Sequence, residues 1–161
     1  MRKYHFLIAV IVIALDRVTK IAIARRLSFH DNIRVIPGFF SIIHTENRGA
    51  AFGLFADSPS QWKVGLLILF SLIALSIVSV LLWKTSHRFT TTGIGLSLIL
   101  GGAIGNLWDR VVSGHVVDFL LLYVGQYQWP AFNVADSAIV VGAVLLVFEI
   151  LFAKSATHTT A

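Results

Sequence analysis

Four long apolar runs constrain the fold of this chain more than any other feature of its sequence. They cover residues 6–24, 64–82, 89–108 and 132–153. A helix needs about 20 apolar residues to cross a bilayer core about 30 Å thick. Only 13% of the 161 residues are charged, against roughly 25% in soluble domains. The sequence therefore predicts an α-helical integral membrane protein with four transmembrane helices.

The two long connections between these runs predict a small β-rich element at the membrane surface. Residues 34–44 are β-branched and aromatic around a Pro-Gly turn signal, a pattern typical of a hairpin. Residues 111–129 have a similar composition and are expected to add strands. The tail at 155–161 is polar. A single membrane-embedded domain is expected over residues 1–161.

Charge and composition exclude several classes of function. The net charge is +5, but the thirteen Lys and Arg are scattered along the chain, so the basic stripe of a nucleic-acid-binding protein is missing. Basic residues at membrane edges, facing anionic lipid, explain the charge more simply. The chain has no cysteine, which excludes disulfides, thiolate zinc sites and a thiol nucleophile. The Lys and Arg counts on the two sides of the membrane do not determine its orientation.

Four spans place both termini on one side of the membrane and most of the unusual polar residues at the other. Charged groups inside a membrane are costly and are functional candidates by default. One such group can be incidental, whereas convergence of many at one face indicates a site. The converging residues are Asp16, Lys20, Asn47, Asn106, Asp109, Arg110, Asp118, Asn133 and Asp136.

Asp118 and Asp136 are the candidate catalytic pair. They lie eighteen residues apart, across one loop and the start of the last apolar run. If they meet, repulsion between like charges raises one pKa, so that the pair shares a proton. The ionised member then takes a proton from water, and the protonated member polarises a scissile carbonyl. In the opposing interpretation, each Asp pairs with Arg110, Arg17 or Lys20, and the pattern alone does not choose between the two.

Two further patterns predict structural roles. Asp16 and Lys20 are four residues apart, so they share a helix face and are expected to pair. Asp109 ends the third run, where an ion-pair or capping role is expected. Gly101 and Gly105 form a GxxxG motif, which allows close helix packing in lipid and would bring Asn106 near a neighbouring helix.

Alternative functions remain open at this stage. Ser113, His115 and Asp118 resemble the components of a serine triad but lack the surrounding nucleophile elbow. A small proton-coupled transporter also uses intramembrane Asp, Lys and Arg, although its charges should span the full bilayer depth. A scaffold protein with structural ion pairs would tolerate Asn at positions 118 and 136.

Five short blocks give the chain a specific resemblance to a known family. They are DRVTK at 16–20, NRGAAFG at 47–53, GGAIGNLWDR at 101–110, VVDF at 116–119 and FNVADSA at 132–138. Together, and in this order, they resemble the lipoprotein signal peptidase family, also called signal peptidase II. Each block is short, but the set of five is highly specific.

The resemblance implies a function, a location and a set of roles. It implies an aspartic endopeptidase of the bacterial inner membrane, with both termini cytoplasmic and the β-rich element and active site at the periplasmic face. The expected substrate is a prolipoprotein with a diacylglyceryl-modified Cys, cut just before that Cys. Asp118 and Asp136 match the catalytic dyad. The residues that match the family's site-lining positions are Asn47, Asn106, Arg110 and Asn133. Asp16 and Lys20 match its supporting pair.

The resemblance also implies which partners to expect. Globomycin is the expected inhibitor, and membrane lipid surrounds the protein. No metal, organic cofactor or nucleic acid is expected, and a monomer is expected to suffice.

Overall fold

The structure, a computed structural model, describes residues 2–49, 61–85 and 90–153. These residues form four long helices and four strands. The helices are α1 (Arg2–Arg26), α2 (Gln61–Thr85), α3 (Thr91–Ser113) and α4 (Val134–Ala153). The strands are β1 (Asn32–Ile36), β2 (Phe40–Asn47), β3 (Val116–Val124) and β4 (Tyr127–Gln128). The described part of the molecule is mostly helical with a small antiparallel sheet, as predicted.

Three of these helices are long and apolar enough to cross a membrane. The qualifying segments are Val64–Thr85, Thr91–Ser113 and Val134–Phe152. Helix α1 is equally long, but its C-terminal half contains Asp16, Arg17 and Lys20. Of the four predicted membrane helices, three are therefore supported by length and composition in the described part of the chain.

Helix α3 is the central helix of the bundle, in contact with α1, α2 and α4. Half of its most apolar stretch is buried, compared with 6% for α2 and 11% for α4. Among the described residues, the exposed side chains of α2 and α4 are overwhelmingly apolar. An apolar surface of this size, left exposed by the protein itself, suits contact with lipid.

Glycines allow the helices to approach α3 closely. A Cβ on Gly101 would lie 2.8 Å from a backbone carbonyl oxygen of α1, and one on Gly105 would lie 2.7 Å from a carboxylate oxygen of Asp16. Gly102 faces the other way and contacts the backbone of Ala135 in α4. The GxxxG motif is thus used for close packing, as its spacing predicts.

Two helix boundaries differ from the sequence-based expectation. Helix α3 continues to Ser113, into the segment expected to be β-rich, and ends where Gly114 adopts a φ of 74°. The N–H of Gly114 donates to the carbonyl of Arg110, which closes the last turn. Helix α4 begins at Val134 and not at 132, because Phe132 pairs with Leu120 of β3. Residues 50–53, 89 and 155–161, which also belong to predicted features, lie outside the described residues.

The sheet has the order β1-β2-β3-β4, with antiparallel neighbours throughout. The predicted hairpin is confirmed: Pro37 and Gly38 lie between β1 and β2, and Gly38 has a φ of 80°. This conformation favours glycine because it lacks a Cβ. The predicted strands in the second connection are β3 and β4, so both connections contribute to one sheet.

A one-residue register shift between β2 and β3 determines which side chains face the helices. Ile42 pairs with Leu120, whereas Thr45 pairs with Asp118 and Asn47 with Val116. Strand β2 therefore has one extra residue in this interval. Because side chains alternate faces along a strand, one added residue moves all that follow to the opposite face. The shift places Asn47 on the same face of the sheet as Asp118.

Candidate active site

A connected set of polar side chains lies where α1 and α3 meet the start of α4 and strand β3. Buried polar groups are costly unless they are hydrogen-bonded, and this set is bonded from one member to the next. All nine polar residues predicted from sequence belong to it. Its buried members are Asp16, Lys20, Asn106, Asp109, Asp118 and Asn133.

Asp118 lies in the middle of this set, on β3, with 2% of its surface exposed. Its Oδ2 accepts a hydrogen bond from Asn47 Nδ2 at 3.0 Å. Its Oδ1 accepts one from Asn133 Nδ2 at 2.7 Å. The first bond depends on the register shift, since Asn47 and Asp118 are diagonal neighbours on one face of the sheet. Both oxygens of this carboxylate are therefore held by neutral amide groups.

Asp136 lies in the first turn of α4 and is locked to Asn133. The Asn133 Oδ1 accepts from the backbone N–H of Asp136 at 2.9 Å. In return, Asp136 Oδ2 accepts from the backbone N–H of Asn133 at 3.2 Å. This reciprocal arrangement is a capping box, and it also fixes the carboxylate of Asp136. Because Asn133 bonds both aspartates, it sets the position of one relative to the other.

The side chain of Asn106, from α3, connects the aspartates to α1. Its Nδ2 donates to Asp136 Oδ1 at 2.7 Å. Its Oδ1 accepts from Lys20 Nζ at 2.9 Å and from Asn133 Nδ2 at 3.3 Å. The ammonium of Lys20 therefore orients the amide so that its N–H groups face Asp136.

The remaining two carboxylates bind cations. Lys20 Nζ lies 2.8 Å from Asp16 Oδ2 and 2.8 Å from Asp109 Oδ2. Arg17 Nη1 lies 2.7 Å from Asp109 Oδ1. The other oxygen of Asp16 accepts from the backbone N–H of Ala135 at 3.0 Å, at the start of α4. The predicted pairing of Asp16 with Lys20 is confirmed, and the network ties α1, α3 and α4 together.

Arg110 closes the set on the side of β2. Its Nη1 donates to the carbonyl of Asn106 and its Nη2 to the carbonyl of Gly49, each at 3.3 Å. Its Nε is buried and has no hydrogen-bond acceptor among the described residues. A buried N–H without an acceptor is costly, so this nitrogen suits a ligand carbonyl.

The electrostatic surroundings of Asp118 favour its protonated form. Burial raises the pKa of Asp118 to about 6 from the ordinary value of 3.8, and repulsion by the carboxylate of Asp136 adds to this increase. The donors on Asn47 and Asn133 and the charge of Lys20 act in the opposite direction. Desolvation prevails, because neutral amides offset only part of the cost of a buried charge.

A cavity of about 540 Å³ opens onto both aspartates. Its polar wall contains Asp118, Asp136, Asn47, Asn106 and Arg110. The rest of its wall is mainly apolar, with Leu122, Phe132, Ile139, Val140 and Val141. Such a cavity binds a largely apolar ligand and orients it through a few polar groups.

The opposing interpretations receive less support from the geometry. Within the part of the chain that the structure describes, neither Asp118 nor Asp136 forms an ion pair. His115 pairs with Glu46, at 3.3 Å between Nε2 and Oε1, which does not match the orientation of a serine triad. The described residues contain no group of three or more His, Cys, Asp or Glu side chains that could hold a metal ion.

Sequence reasoning missed two features of this site. Arg17 was considered only as a partner of the candidate dyad, but it pairs with Asp109. The capping role of Asn133 was also missed, although Asn three residues before Asp at the start of an apolar run is a recognisable signal. The roles of the nine site residues stay predictions, while their assembly into one set is a property of the structure.

Comparisons with known proteins agree with this architecture. A model of the family described as signal peptidase (SPase) II matches residues 8–152. The chain is 47% identical to a lipoprotein signal peptidase of Solibacter usitatus, over 91% of this chain and 90% of that protein. It is 48% identical to one of Desulforapulum autotrophicum, over 92% and 91%.

Solved structures show the same fold. The chain superposes on one bacterial membrane enzyme with a TM-score of 0.87 and 33% identity, covering 99% of this chain and 94% of that one. A second bacterial membrane enzyme gives a TM-score of 0.81 and 34% identity, covering 92% and 93%.

Proposed function

The chain belongs to the signal peptidase II family, and on that premise we propose that it is an aspartic endopeptidase of the bacterial inner membrane. It cleaves the signal peptide from diacylglyceryl-modified prolipoproteins, just before the lipidated Cys. Asp118 and Asp136 are its catalytic dyad. The observation that carries this proposal is the bridging of these two carboxylates by Asn133, while no described Lys or Arg forms an ion pair with either.

The dyad acts on a water molecule and the peptide carbonyl. Asp136 takes a proton from water, whose oxygen attacks the carbonyl carbon, while Asp118 donates its proton to the carbonyl oxygen. When the tetrahedral intermediate collapses, Asp136 passes its proton to the nitrogen of the Cys, the C–N bond breaks, and Asp118 takes back a proton from the hydroxyl group that becomes the carbonyl. The proton is assigned to Asp118 because burial raises its pKa to about 6.

The other polar residues hold the substrate and the dyad. The side-chain amides of Asn47, Asn106 and Asn133 each donate to one of the two carboxylates, and the backbone N–H of Asn133 donates to the other. Arg110 offers its buried Nε to a carbonyl of the peptide. Asp16, Lys20 and Asp109 support the site by joining the three helices around it. The proposed mechanism uses no metal or organic cofactor.

The apolar part of the cavity suits a lipid-modified substrate. Ile139, Val140 and Val141 belong to α4, a helix with an exposed apolar surface. A substrate with a signal helix and two acyl chains approaches from lipid, because leaving the bilayer would expose its apolar surface to water. Globomycin is expected to bind in the same cavity and to compete with the substrate.

We also propose that α1 spans the membrane as the fourth helix. Its charged residues Asp16 and Lys20 are 1% and 2% exposed, so they face the bundle and not the lipid. Charges inside membrane proteins take this position, paired with one another. With four spans both termini are cytoplasmic, and the sheet and active site lie at the periplasmic face. The protein acts as a monomer within the lipid.

The proton-coupled transporter is not favoured. A proton relay needs ionisable groups across the bilayer, whereas Asp16, Lys20, Asp109, Asp118 and Asp136 belong to one hydrogen-bonded set. This set is located at one end of the helices, beside the sheet.

The direct test is cleavage of a diacylglyceryl prolipoprotein by the purified protein in lipid. The wild type should cut before the Cys, and Asp118→Asn or Asp136→Asn should lower kcat at least on the order of a thousandfold, as expected for loss of an acid or base. Asp31→Asn, on the exposed connection before β1, is the matched control and should retain normal turnover.

Thermal unfolding distinguishes loss of chemistry from loss of fold. Asp118→Asn removes a desolvated charge but places an amide donor opposite the N–H of Asn47 or Asn133, so these two effects offset each other and the variant should still unfold cooperatively, close to the wild-type temperature. Near-normal turnover in either dyad variant would exclude the assignment. An intact substrate with the wild-type protein would exclude the peptidase function itself.

A further inference from the structure

A second cavity, of about 530 Å³, lies on the other side of Asp118. It shares with the first cavity a wall made of Asn47, Asp118, Trp129, Pro130 and Ala131. The rest of its wall comes from β2, the following Arg48, β3 and β4. The carboxylate of Asp118 thus stands between two adjoining cavities, and the proposed substrate enters one of them.

The two cavities differ in chemistry beyond the shared wall. The first continues along α4 past Ile139, Val140 and Val141. The second has the apolar Ile43 and Leu121 there, together with four polar side chains, those of Thr45, Glu46, Arg48 and Gln128. An apolar chain is stabilised in the first cavity, and a polar chain in the second, where its groups find hydrogen-bond and charge partners.

The proposed substrate has parts that match this division. Its signal helix and its acyl chains are apolar and remain in lipid. The chain that follows the modified Cys belongs to the mature protein and must reach water. Of the two cavities that touch Asp118, the second has the exposed side chain of Arg48 in its wall, so it faces water there. The direction of the substrate across the dyad is therefore determined by solubility.

We infer that the second cavity is a binding subsite for the first residues after the lipidated Cys, with Thr45, Glu46, Arg48 and Gln128 as its polar contacts. This inference rests on the proposed function and adds a specificity to it. The ligand is an extended polar peptide, and two of the four groups that meet it, Glu46 and Arg48, are charged.

Arg48 is the residue of this subsite best able to choose between substrates. Its guanidinium lies 3.7 Å from Glu46 Oε2, and its side chain is 74% exposed. An exposed pair at this distance is weak. Glu46 has a second partner in His115, so Arg48 can turn to a substrate carboxylate without leaving Glu46 unpaired. Substrates with an acidic residue directly after the Cys should gain from this contact.

The test compares two diacylglyceryl prolipoproteins that differ only in an Asp or a Lys directly after the Cys. Arg48→Glu should shift the ratio of kcat/KM for the Asp and Lys substrates about five- to tenfold toward Lys, the scale of an exposed charge reversal. The shift should shrink in high salt. Arg34→Glu is the matched control: it makes the same charge change on β1, outside both cavities, and should leave the ratio unchanged.

A second variant tests whether the substrate occupies the second cavity, independently of the charge of Arg48. Gln128→Trp fills the cavity, so it should lower kcat/KM for a substrate with several residues after the Cys relative to one that ends at the Cys amide. The loss should appear mainly in KM, since the dyad is untouched. Gln126→Trp, in the turn between β3 and β4, is the control of equal size.

The outcomes separate the two proposals. A wild-type protein that cleaves neither substrate contradicts the proposed function. A wild-type protein that cleaves both, with ratios that Arg48→Glu and Gln128→Trp leave unchanged, contradicts the subsite alone. Equal effects of Arg48→Glu on the Asp and Lys substrates would also reject it, because a general disturbance does not depend on the residue after the Cys.

Discussion

Two pairs of aspartates lie in one polar network and are held in different ways. Asp16 and Asp109 share the ammonium of Lys20, 2.8 Å from a carboxylate oxygen of each. Asp118 and Asp136 are instead held by amide groups of Asn side chains and by one backbone N–H. The two pairs are connected through Asn106, which bonds Lys20 on one side and Asp136 on the other.

The difference accounts for the different roles proposed for these neighbouring carboxylates. A cation in contact stabilises only the ionised form of a carboxylate, so it disfavours protonation. A neutral amide satisfies the oxygens with a smaller bias toward charge, so a proton can still be exchanged. The first pair thus joins helices, while the second keeps the capacity for acid–base chemistry. Four experiments test this division, in order of decreasing expected effect.

Removing the cation from the first pair should have the largest effect on stability. Lys20→Met removes the ion pair of Asp16 and leaves Asp109 with Arg17, and should lower the free energy of unfolding by about 3–5 kcal/mol, the cost of breaking a buried ion pair. Thermal and denaturant unfolding in detergent measure the loss. Lys84→Met, on the exposed end of α2, is the control.

A double variant sharpens this prediction. Adding Asp16→Asn to Lys20→Met removes one uncompensated charge, so the double variant should be more stable than Lys20→Met alone. If the two losses simply add, the ion pair is not the source of the stability.

Closing the space beside the first pair should have the next largest effect. Gly105→Ala places a Cβ 2.7 Å from a carboxylate oxygen of Asp16, and should cost about 1–3 kcal/mol through overpacking. Gly65→Ala is the matched control, because a Cβ there meets no atom within 4 Å, and should change stability by less than about 1 kcal/mol. Similar melting temperatures for both variants would contradict close packing at Gly105.

The second pair should make the rate of cleavage depend on pH. Since the pKa of Asp118 is about 6, its proton is present below this pH and is lost as the pH rises through it. With both carboxylates ionised the dyad lacks its acid, so kcat/KM should fall about tenfold per pH unit on the alkaline side, and the full profile should be bell-shaped. The measured pKa values belong to the pair. A flat profile from about pH 5 to about pH 8 would contradict a shared proton.

The smallest effect should come from one amide of the second pair. Asn47 donates to the carboxylate of Asp118 and lowers its pKa. Asn47→Leu should therefore raise that pKa and move the alkaline limb to higher pH, by up to about one unit for a hydrogen bond to a charged group. Asn32→Leu, exposed on β1, should not move the limb. A shift to lower pH would contradict the role assigned to Asn47.

Much of the fold follows from local sequence properties. An uncharged run of nineteen residues such as 64–82 predicts a helix whatever surrounds it, because apolar length and backbone hydrogen bonding act locally in a membrane. The hairpin at Pro37 and Gly38 is equally local. Helix ends were less predictable. Val111 and Val112 have a local preference for β structure, but it is overridden because the helical hydrogen bonds of α3 continue up to Gly114.

The sequence by itself determined the membrane class, the hairpin, the pairing of Asp16 with Lys20, and the candidacy of Asp118 and Asp136. Only the tertiary structure decided which aspartates receive a cation and which receive amides. It also decided that a one-residue shift in β2 brings Asn47 to the face of Asp118. The physical reason is that hydropathy and spacing are properties of neighbouring residues, whereas the partner of a buried carboxylate depends on how distant segments pack.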